Sequence, residues 1–311
     1  MSNTKVFYTK EYKDLALDVI EQMSYPLKGE IEAKIFPDGE SYHRIINSED
    51  IKGDDVILVG GLTSDKSILD VYNIASTLAT QQIRSLHLVI PYMNYSTMER
   101  AVKEGEVVKA KNIARMFSSI PQASRGNFIY FIDLHSEGIP FYFEGATHVT
   151  HLYAKEEVRY MIDDIINLKD KKDFVLASTD AGRAKWVESL ANDCGLNAAF
   201  VLKRRDDDGT EVTAINADVK DKNVIIYDDM IRSGGSLINA ANAYKAAGAD
   251  KIYACTTHGI FCDSGLEKLK NSNVIERIYM TNTHVNCQQN LDFGFTSLVS
   301  VASLIAKGLK L

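Results

Sequence analysis

Short apolar runs, each closed by polar or turn-forming positions, alternate along nearly the whole chain with longer stretches in which apolar residues recur every three or four positions. The runs Val56–Val59, Leu86–Ile90, Phe128–Ile132, Phe174–Ala177, Ala198–Val201, Val224–Tyr227, Ile252–Cys255 and Arg277–Met280 read as buried strands. The stretches Lys66–Thr80, Val108–Phe117, Glu156–Ile166, Arg183–Cys194 and Leu237–Ala247 carry the helical period. Strands and helices in alternation predict an α/β architecture with mainly parallel sheets flanked by helices. Eight strands in 311 residues favour two sheets over one open sheet. We therefore expect a boundary near residues 146–152, with an N-terminal domain over 1–148 and a C-terminal domain over 149–311 whose last helix can pack back on the first domain. No Pro-rich or Ser-rich linker marks that boundary, which points to closely packed domains. The two halves share a coarse order of strand, turn and helix, a hint of duplication.

Composition narrows the partners. With 45% hydrophobic and 25% charged residues the chain has the make-up of a soluble globular protein long enough for two cores. A formal net charge of −7 argues against nucleic acid and leaves a small anion, held by local basic loops, as the expected ligand. Cys194, Cys255, Cys262 and Cys287 form no CxxC pair and are expected to be buried reduced thiols. No charged-then-apolar leader opens the sequence and no apolar run approaches the length of a membrane span, so a cytoplasmic location and no membrane partner are expected.

The most telling stretch is Val224–Leu237, VIIYDDMIRSGGSL, in which an apolar run meets two adjacent aspartates and then a Gly- and Ser-rich turn that opens a helix. Backbone N–H groups of Ser233, Gly234, Gly235 and Ser236 can converge on a phosphate there, because glycines let the chain approach closely and a helix N-terminus supplies positive dipole. Asp228 and Asp229 can accept hydrogen bonds from two adjacent ribose hydroxyls. An ordinary βα turn with an N-cap Ser would give the same letters.

Four further segments place polar residues at strand ends, where functional groups of α/β folds gather: FPDGE at Phe36–Glu40, DLHSEG at Asp133–Gly138, STDAG at Ser178–Gly182 and LKRRDDDG at Leu202–Gly209. With these in that order, and with PYMNYSTMER at Pro91–Arg100, the Val107–Lys111 stretch and YACTTHGIF at Tyr253–Phe261, nearly the full chain resembles the ribose-phosphate diphosphokinases, or phosphoribosyl diphosphate synthetases. That resemblance implies two phosphoribosyltransferase-type domains and transfer of a diphosphate from ATP to the anomeric hydroxyl of ribose 5-phosphate, with release of AMP. It implies Mg2+ with His135 as a ligand and Asp180 as the second ligand or as an anchor behind the ligands, His135 also meeting the nucleotide phosphates, and Lys203 and Arg205 as the catalytic cations. Phase for phase, hard magnesium bound by few side chains plus substrate oxygens fits that set, and charge neutralisation is what phosphoryl transfer requires. Phe36 would stack on adenine while Asp38 and Glu40 accept hydrogen bonds from base or ribose, the loop serving a neighbouring subunit, so that a homo-oligomer of at least two chains is implied. Read from its residues alone, P-D-G is equally a favoured tight turn.

The chain departs from the family pattern at three places. Where YARQDR is usual it has Thr97 and Met98, leaving Glu99 and Arg100, so that Arg100 is the remaining candidate for a nucleotide phosphate. The loop after Arg205 runs through Asp206, Asp207 and Asp208 instead of a Pro-rich continuation. In the phosphate loop Arg232 replaces an acid and Gly234 an alanine, which raises the possibility of an acceptor with a larger 5′ group such as ADP-ribose, Gly234 making room; alternatively Arg232 faces solvent or pairs with a carboxylate such as Asp206. Two other functions compete: a phosphoribosyltransferase, which the Asp228 loop alone supports, and a silent regulatory subunit, which Thr97 and Met98 support.

Overall fold

The computed structural model describes residues 3–167, 170–206, 209–215, 217–289 and 291–309, without the side chains of residues 181, 202–206 and 209–215. The chain forms two compact units, one of Met1–Tyr153 together with Val301–Leu311 and the other of Ala154–Ser300.

The first unit contains β1 (Thr4–Tyr8), α1 (Lys13–Gln22), β2 (Leu27–Lys28), β3 (Ile31–Ile35), β4 (Ser41–Ile45), β5 (Asp55–Val59), α2 (Asp65–Ala79), β6 (Ser85–Ile90), α3 (Lys109–Ser118), β7 (Asn127–Ile132) and β8 (Thr147–Leu152). Its parallel sheet runs β2-β1-β5-β6-β7-β8, and β3 and β4 form a separate antiparallel hairpin. The second unit contains α4 (Lys155–Ile166), β9 (Phe174–Ser178), α5 (Ala184–Cys194), β10 (Asn197–Ala199), β11 (Val201–Asp206), β12 (Gly209–Ile215), β13 (Asn223–Ile231), α6 (Gly235–Ala246), β14 (Ile252–Gly259), α7 (Gly265–Asn271), β15 (Arg277–Thr281), α8 (Val285–Gln289) and β16 (Thr296–Val299). Its parallel sheet runs β10-β9-β13-β14-β15-β16, with β11 and β12 paired antiparallel outside it. The last helix, α9 (Ala302–Leu309), packs on α1 and β8 in the first unit.

Alternation along the strands of the second sheet explains why helices cover both faces. Val224, Ile226, Ile252, Ala254 and Met280 enter one apolar cluster with Leu237, Ala240, Ala241 and Tyr244 of α6. Ile225, Tyr227, Tyr253, Cys255 and Tyr279 point the other way, into a cluster with Val158, Met161 and Ile162 of α4 and Val187 and Leu190 of α5. Burying each such side chain contributes about 1.5–3 kcal/mol, so a strand apolar on both sides is held in register from two directions.

Three elements differ from the sequence expectation. Within the expected boundary region 146–152 lies β8, paired with β7 along its whole length; its sequence THVTHL is too polar and too exposed to show as an apolar run. The run Ala198–Val201 is split, with Ala199 ending β10 in the sheet and Val201 beginning β11 outside it. Strand β13 continues through both aspartates to Ile231 because β14 goes on pairing with it after β9 stops at Tyr227. Among the cysteines, Cys194, Cys255 and Cys287 are buried and Cys262 is half-buried; all are free thiols.

Candidate functional site

The loop after β13 is fixed from two sides. Ile231 accepts hydrogen bonds through its carbonyl from the N–H groups of Ile260 (2.9 Å) and Phe261 (3.1 Å), which ties the end of β13 to the end of β14. Four residues later α6 begins, and Ile238 N–H donates to the carbonyl of Gly234 at 2.9 Å. Gly234 is the N-cap, with φ of 81° and ψ of −7°, a left-handed conformation that disfavours any side chain, and no side chain caps the helix. Ser233, Gly235 and Ser236 are exposed. The first N–H groups of a helix lack internal acceptors, so an uncapped start flanked by serines is a donor array for an oxyanion.

Gly234 has a packing reason as well. A Cβ on it would sit 2.7 Å from Leu269 Cγ of α7, so its lack of a side chain accommodates Leu269 and the left-handed turn. Gly265 plays the matching part, since a Cβ there would meet the carbonyl oxygen of Arg232 at 2.6 Å. The Arg232 side chain is exposed and forms no ion pair among the described residues; the side chain of Asp206, its suggested partner, lies outside them.

Asp228 and Asp229 stand in β13 with alternate orientations, and each has a partner from the segment after the neighbouring strand β9. Thr179 Oγ1 donates to Asp228 Oδ2 at 2.9 Å. Arg183 Nη2 donates to Asp229 Oδ2 at 2.5 Å, with the carboxylate buried and the guanidinium three-quarters covered. The Asp228 carboxyl is pushed up to about 7, first by burial and then by the charge of Asp229, while the bond from Thr179 opposes the shift. Asp180 Oδ1 accepts from Gly182 N–H at 2.8 Å, and Ser178 Oγ donates to the Asp180 carbonyl, so the STDAG segment is a locally bonded turn at the carboxyl end of β9. Tyr244 of α6, fully buried, anchors the same point by donating to the Ser178 carbonyl at 3.0 Å.

Sequence reasoning missed Thr179, Arg183 and Tyr244 as contributors here. Arg183 carried only the signal of a helix start, and the partnership with Asp229 spans 46 residues. Beside them a buried polar group lies across β14 and β15: His258 Nδ1 meets Thr283 Oγ1 at 2.8 Å, and Thr283 Oγ1 also donates to the Thr257 carbonyl at 2.9 Å. His258 pairs in register with Met230 of β13, directly after the two aspartates.

The remaining sequence candidates fall into two groups. Phe36, Asp38 and Glu40 form the turn between β3 and β4: Gly39 N–H donates to the Phe36 carbonyl at 2.9 Å, Gly39 has φ of 93°, and Asp38 Oδ1 accepts from Glu40 N–H at 3.1 Å. The FPDGE segment is thus a tight turn, and one that leaves Phe36 40% exposed in a T-shaped contact with Tyr42. Arg100 is largely exposed beside Glu99. His135 is exposed after β7, where Leu134 N–H donates to His151 Nε2 at 2.8 Å. These residues belong to the first unit and Asp180, Asp228, Asp229 and the phosphate loop to the second. Lys203 and Arg205 lie in β11, but their side chains fall outside the described residues.

For a magnesium ion the fit is that of a substrate-completed site. No group of three or more His, Cys, Asp or Glu side chains that could hold a metal occurs among the described residues. The carboxylates of Asp180, Asp228 and Asp229 are nonetheless hard oxygen donors, and the proton affinity of Asp228, raised by burial and then by the charge of Asp229, is one that a cation or hydroxyl donors would lower.

Two parallel sheets flanked by helices, one ending in paired aspartates before an uncapped helix, define an α/β protein of the phosphoribosyltransferase type. Residues 4–120 match the family described as the N-terminal domain of ribose phosphate pyrophosphokinase, and residues 210–310 match the phosphoribosyl synthetase-associated domain. The ribose-phosphate pyrophosphokinase of Pyrococcus furiosus is 31% identical over 256 residues, 81% of this chain and 85% of that protein. That of Thermotoga maritima is 29% identical over 312 residues, 98% of this chain and 93% of that protein. The crystal structure of phosphoribosylpyrophosphate synthetase from Mycobacterium smegmatis superposes with a TM-score of 0.85 at 22% identity, covering 99% of this chain and 98% of that one. The chain belongs to the ribose-phosphate pyrophosphokinase family.

Proposed function

We propose that the protein transfers the β,γ-diphosphate of ATP to the anomeric 1-hydroxyl of ribose 5-phosphate, giving phosphoribosyl diphosphate and AMP. The observation that carries this reading is the single strand–loop–helix in which Asp228 and Asp229 precede the uncapped, Gly234-led start of α6. A ribose lies between a 5′-phosphate and its 2- and 3-hydroxyls, so carboxylates and an anion cradle a few residues apart suit both ends of one ligand. The ring hydroxyls donate to Asp228 and Asp229, and the 5′-phosphate accepts from the N–H and hydroxyl groups of Ser233, Gly234, Gly235 and Ser236, with Arg232 adding positive charge.

Held in that pose, the 1-hydroxyl attacks the β-phosphorus in line and AMP leaves, with no covalent enzyme intermediate. Lys203 and Arg205 neutralise charge developing on the transferred group, the kind of stabilisation that dominates phosphoryl transfer. Phe36 stacks on adenine, Asp38 and Glu40 bond the base or ribose, and Arg100 meets a nucleotide phosphate; a second copy of the chain supplies part of this nucleotide site. His135 and Asp180 would hold Mg2+, which supplies charge neutralisation for the phosphates. A cytoplasmic setting suits these substrates, and no helix among the described residues is long and apolar enough to cross a membrane.

The test is AMP release from Mg-ATP with ribose 5-phosphate and, separately, with ADP-ribose, the products resolved by mass. We expect phosphoribosyl diphosphate and AMP from the first. Turnover with ADP-ribose alone would replace the acceptor, and AMP from neither would overturn the reaction. EDTA should abolish turnover, and excess Mg2+ should restore it.

A further inference from the structure

Arg183 is absent from the site as read from sequence, yet it donates a hydrogen bond to one of the two carboxylates assigned to the ribose diol. Its Nη2 lies 2.5 Å from Asp229 Oδ2, and that carboxylate side chain is only 3% exposed. A ribose whose two hydroxyls are to reach Asp228 and Asp229 therefore meets an oxygen that already accepts from a cation. At Asp228 the situation is different, because Thr179 offers a neutral hydroxyl and the carboxyl retains its proton more tightly than usual. Ligand hydroxyls arriving at the pair must share Asp229 with the guanidinium or displace it.

The place to which a displaced guanidinium would go follows from the ring. The 5′-phosphate belongs at the α6 start, on one side of the diol; the anomeric carbon, next to the 2-hydroxyl, lies on the other. The second partner segment of the diol carboxylates is the Ser178–Arg183 turn, which ends β9 and leads into the eleven-residue helix α5. That turn delivers Thr179 to Asp228 and Arg183 to Asp229, so the group attached at the anomeric carbon is directed toward it. A diphosphate arriving there meets an N-terminal helix dipole and, if Arg183 is free to turn, a forked cation suited to bidentate phosphate contact.

We propose that Arg183 is a substrate-delivered cation: paired with Asp229 in the free protein, it is released when the ribose diol takes that carboxylate and then binds the diphosphate being transferred. The proposal rests on the reaction given above. Its consequence is thermodynamic coupling, since a ligand that releases Arg183 removes a cost from the binding of the other, and the benefit is reciprocal.

Calorimetric titration with the magnesium complex of a non-hydrolysable ATP analogue, in the presence and absence of saturating ribose 5-phosphate, measures that coupling directly. For the wild-type chain we expect ribose 5-phosphate to tighten the analogue by roughly 5- to 150-fold, the usual span for coupled sites. In Arg183→Gln the two affinities should become independent while ribose 5-phosphate still binds. Arg183→Lys keeps the charge and the pair with Asp229, and should retain part of the coupling. Coupling that persists in Arg183→Gln, or is lost equally in Arg183→Lys, overturns the inference alone. So does loss of ribose 5-phosphate binding in Arg183→Gln, which would mark Arg183 as a support for Asp229 and nothing more. A wild-type chain that binds no ribose 5-phosphate overturns the reaction and this inference together.

Discussion

The two six-stranded sheets share one strand order, and their third strands, β5 and β13, each run into a loop and a long helix, yet the two loops end in opposite chemical states. After β5 the chain passes through Gly60 and Gly61, packed under Thr9, Val71 and Tyr12, and reaches Ser64 as the N-cap of α2. There the helix start is closed by its own side chains: Ser67 N–H donates to Ser64 Oγ at 3.1 Å, and Ser64 N–H donates to Ser67 Oγ at 2.8 Å. After β13 the helix starts at Gly234 with no side-chain cap, and the strand before it carries two carboxylates in place of an apolar end. Two sheets of one strand order thus offer two similar crossovers, and the one proposed to hold the ribose phosphate is the one whose helix start carries no side-chain cap.

The largest expected break of this contrast comes from Asp228→Ala. Removing a charged acceptor for a ribose hydroxyl costs about 1.5–3 kcal/mol of ligand interaction, roughly a 10- to 150-fold loss in kcat/KM for ribose 5-phosphate. Thermal stability should not fall, because the change also removes a buried carboxyl crowded by Asp229. Steady-state kinetics beside a melting curve reads both. Kinetics indistinguishable from wild type would erase the distinction between the two loops.

Gly234→Ala should act on the fold first. A left-handed non-glycine residue costs on the order of 1–3 kcal/mol, and here the new methyl also meets Leu269 at 2.7 Å. Leu269→Ala is expected to relieve the steric part in the double variant but not the backbone part, which a thermodynamic cycle of chemical denaturation separates. Full additivity of the two changes would mean that the contact is not what fixes glycine there. In the first unit, Ser64→Ala removes the cap and should cost about 1 kcal/mol of stability with substrate kinetics unchanged; altered KM values would show that the closed loop is not inert.

The legible part of this molecule was the part that repeats or is continuous in sequence. Apolar runs exposed the central strands, and DDMIRSGG lay unbroken, so its strand, turn and helix start could be read before any geometry was known. Strand β8 escaped because an edge strand with one exposed face needs few apolar residues. The extension of β13 through its aspartates escaped because pairing with β14, not the strand's own composition, carries it to Ile231. Arg183 and Thr179 escaped for a third reason: their partners are 46 and 49 residues away, and only the adjacency of β9 and β13 brings them together. Gly234 was found, but its packing against Leu269, 35 residues further on, was not, because only the fold brings α7 to that turn.

The smallest expected effect is also the one most specific to the open loop. The Asp228 carboxyl titrates near 4 in an unfolded chain and is raised to about 7 in the folded one. Between those values the folded state binds more protons than the unfolded state, so this group makes stability fall as pH rises through that window. Ribose hydroxyls donate hydrogen bonds and need an ionised acceptor; affinity for ribose 5-phosphate should therefore rise with pH up to about 7 and then level. The phosphate of the ligand itself titrates near 6, so the raw slope mixes two groups. Asp228→Asn isolates one of them: calorimetric affinity measured across the window should keep the ligand's contribution and lose the rest. An identical pH profile in wild type and variant would mean that Asp228 is not the titrating acceptor, and that the open loop differs from its closed counterpart by its uncapped helix alone.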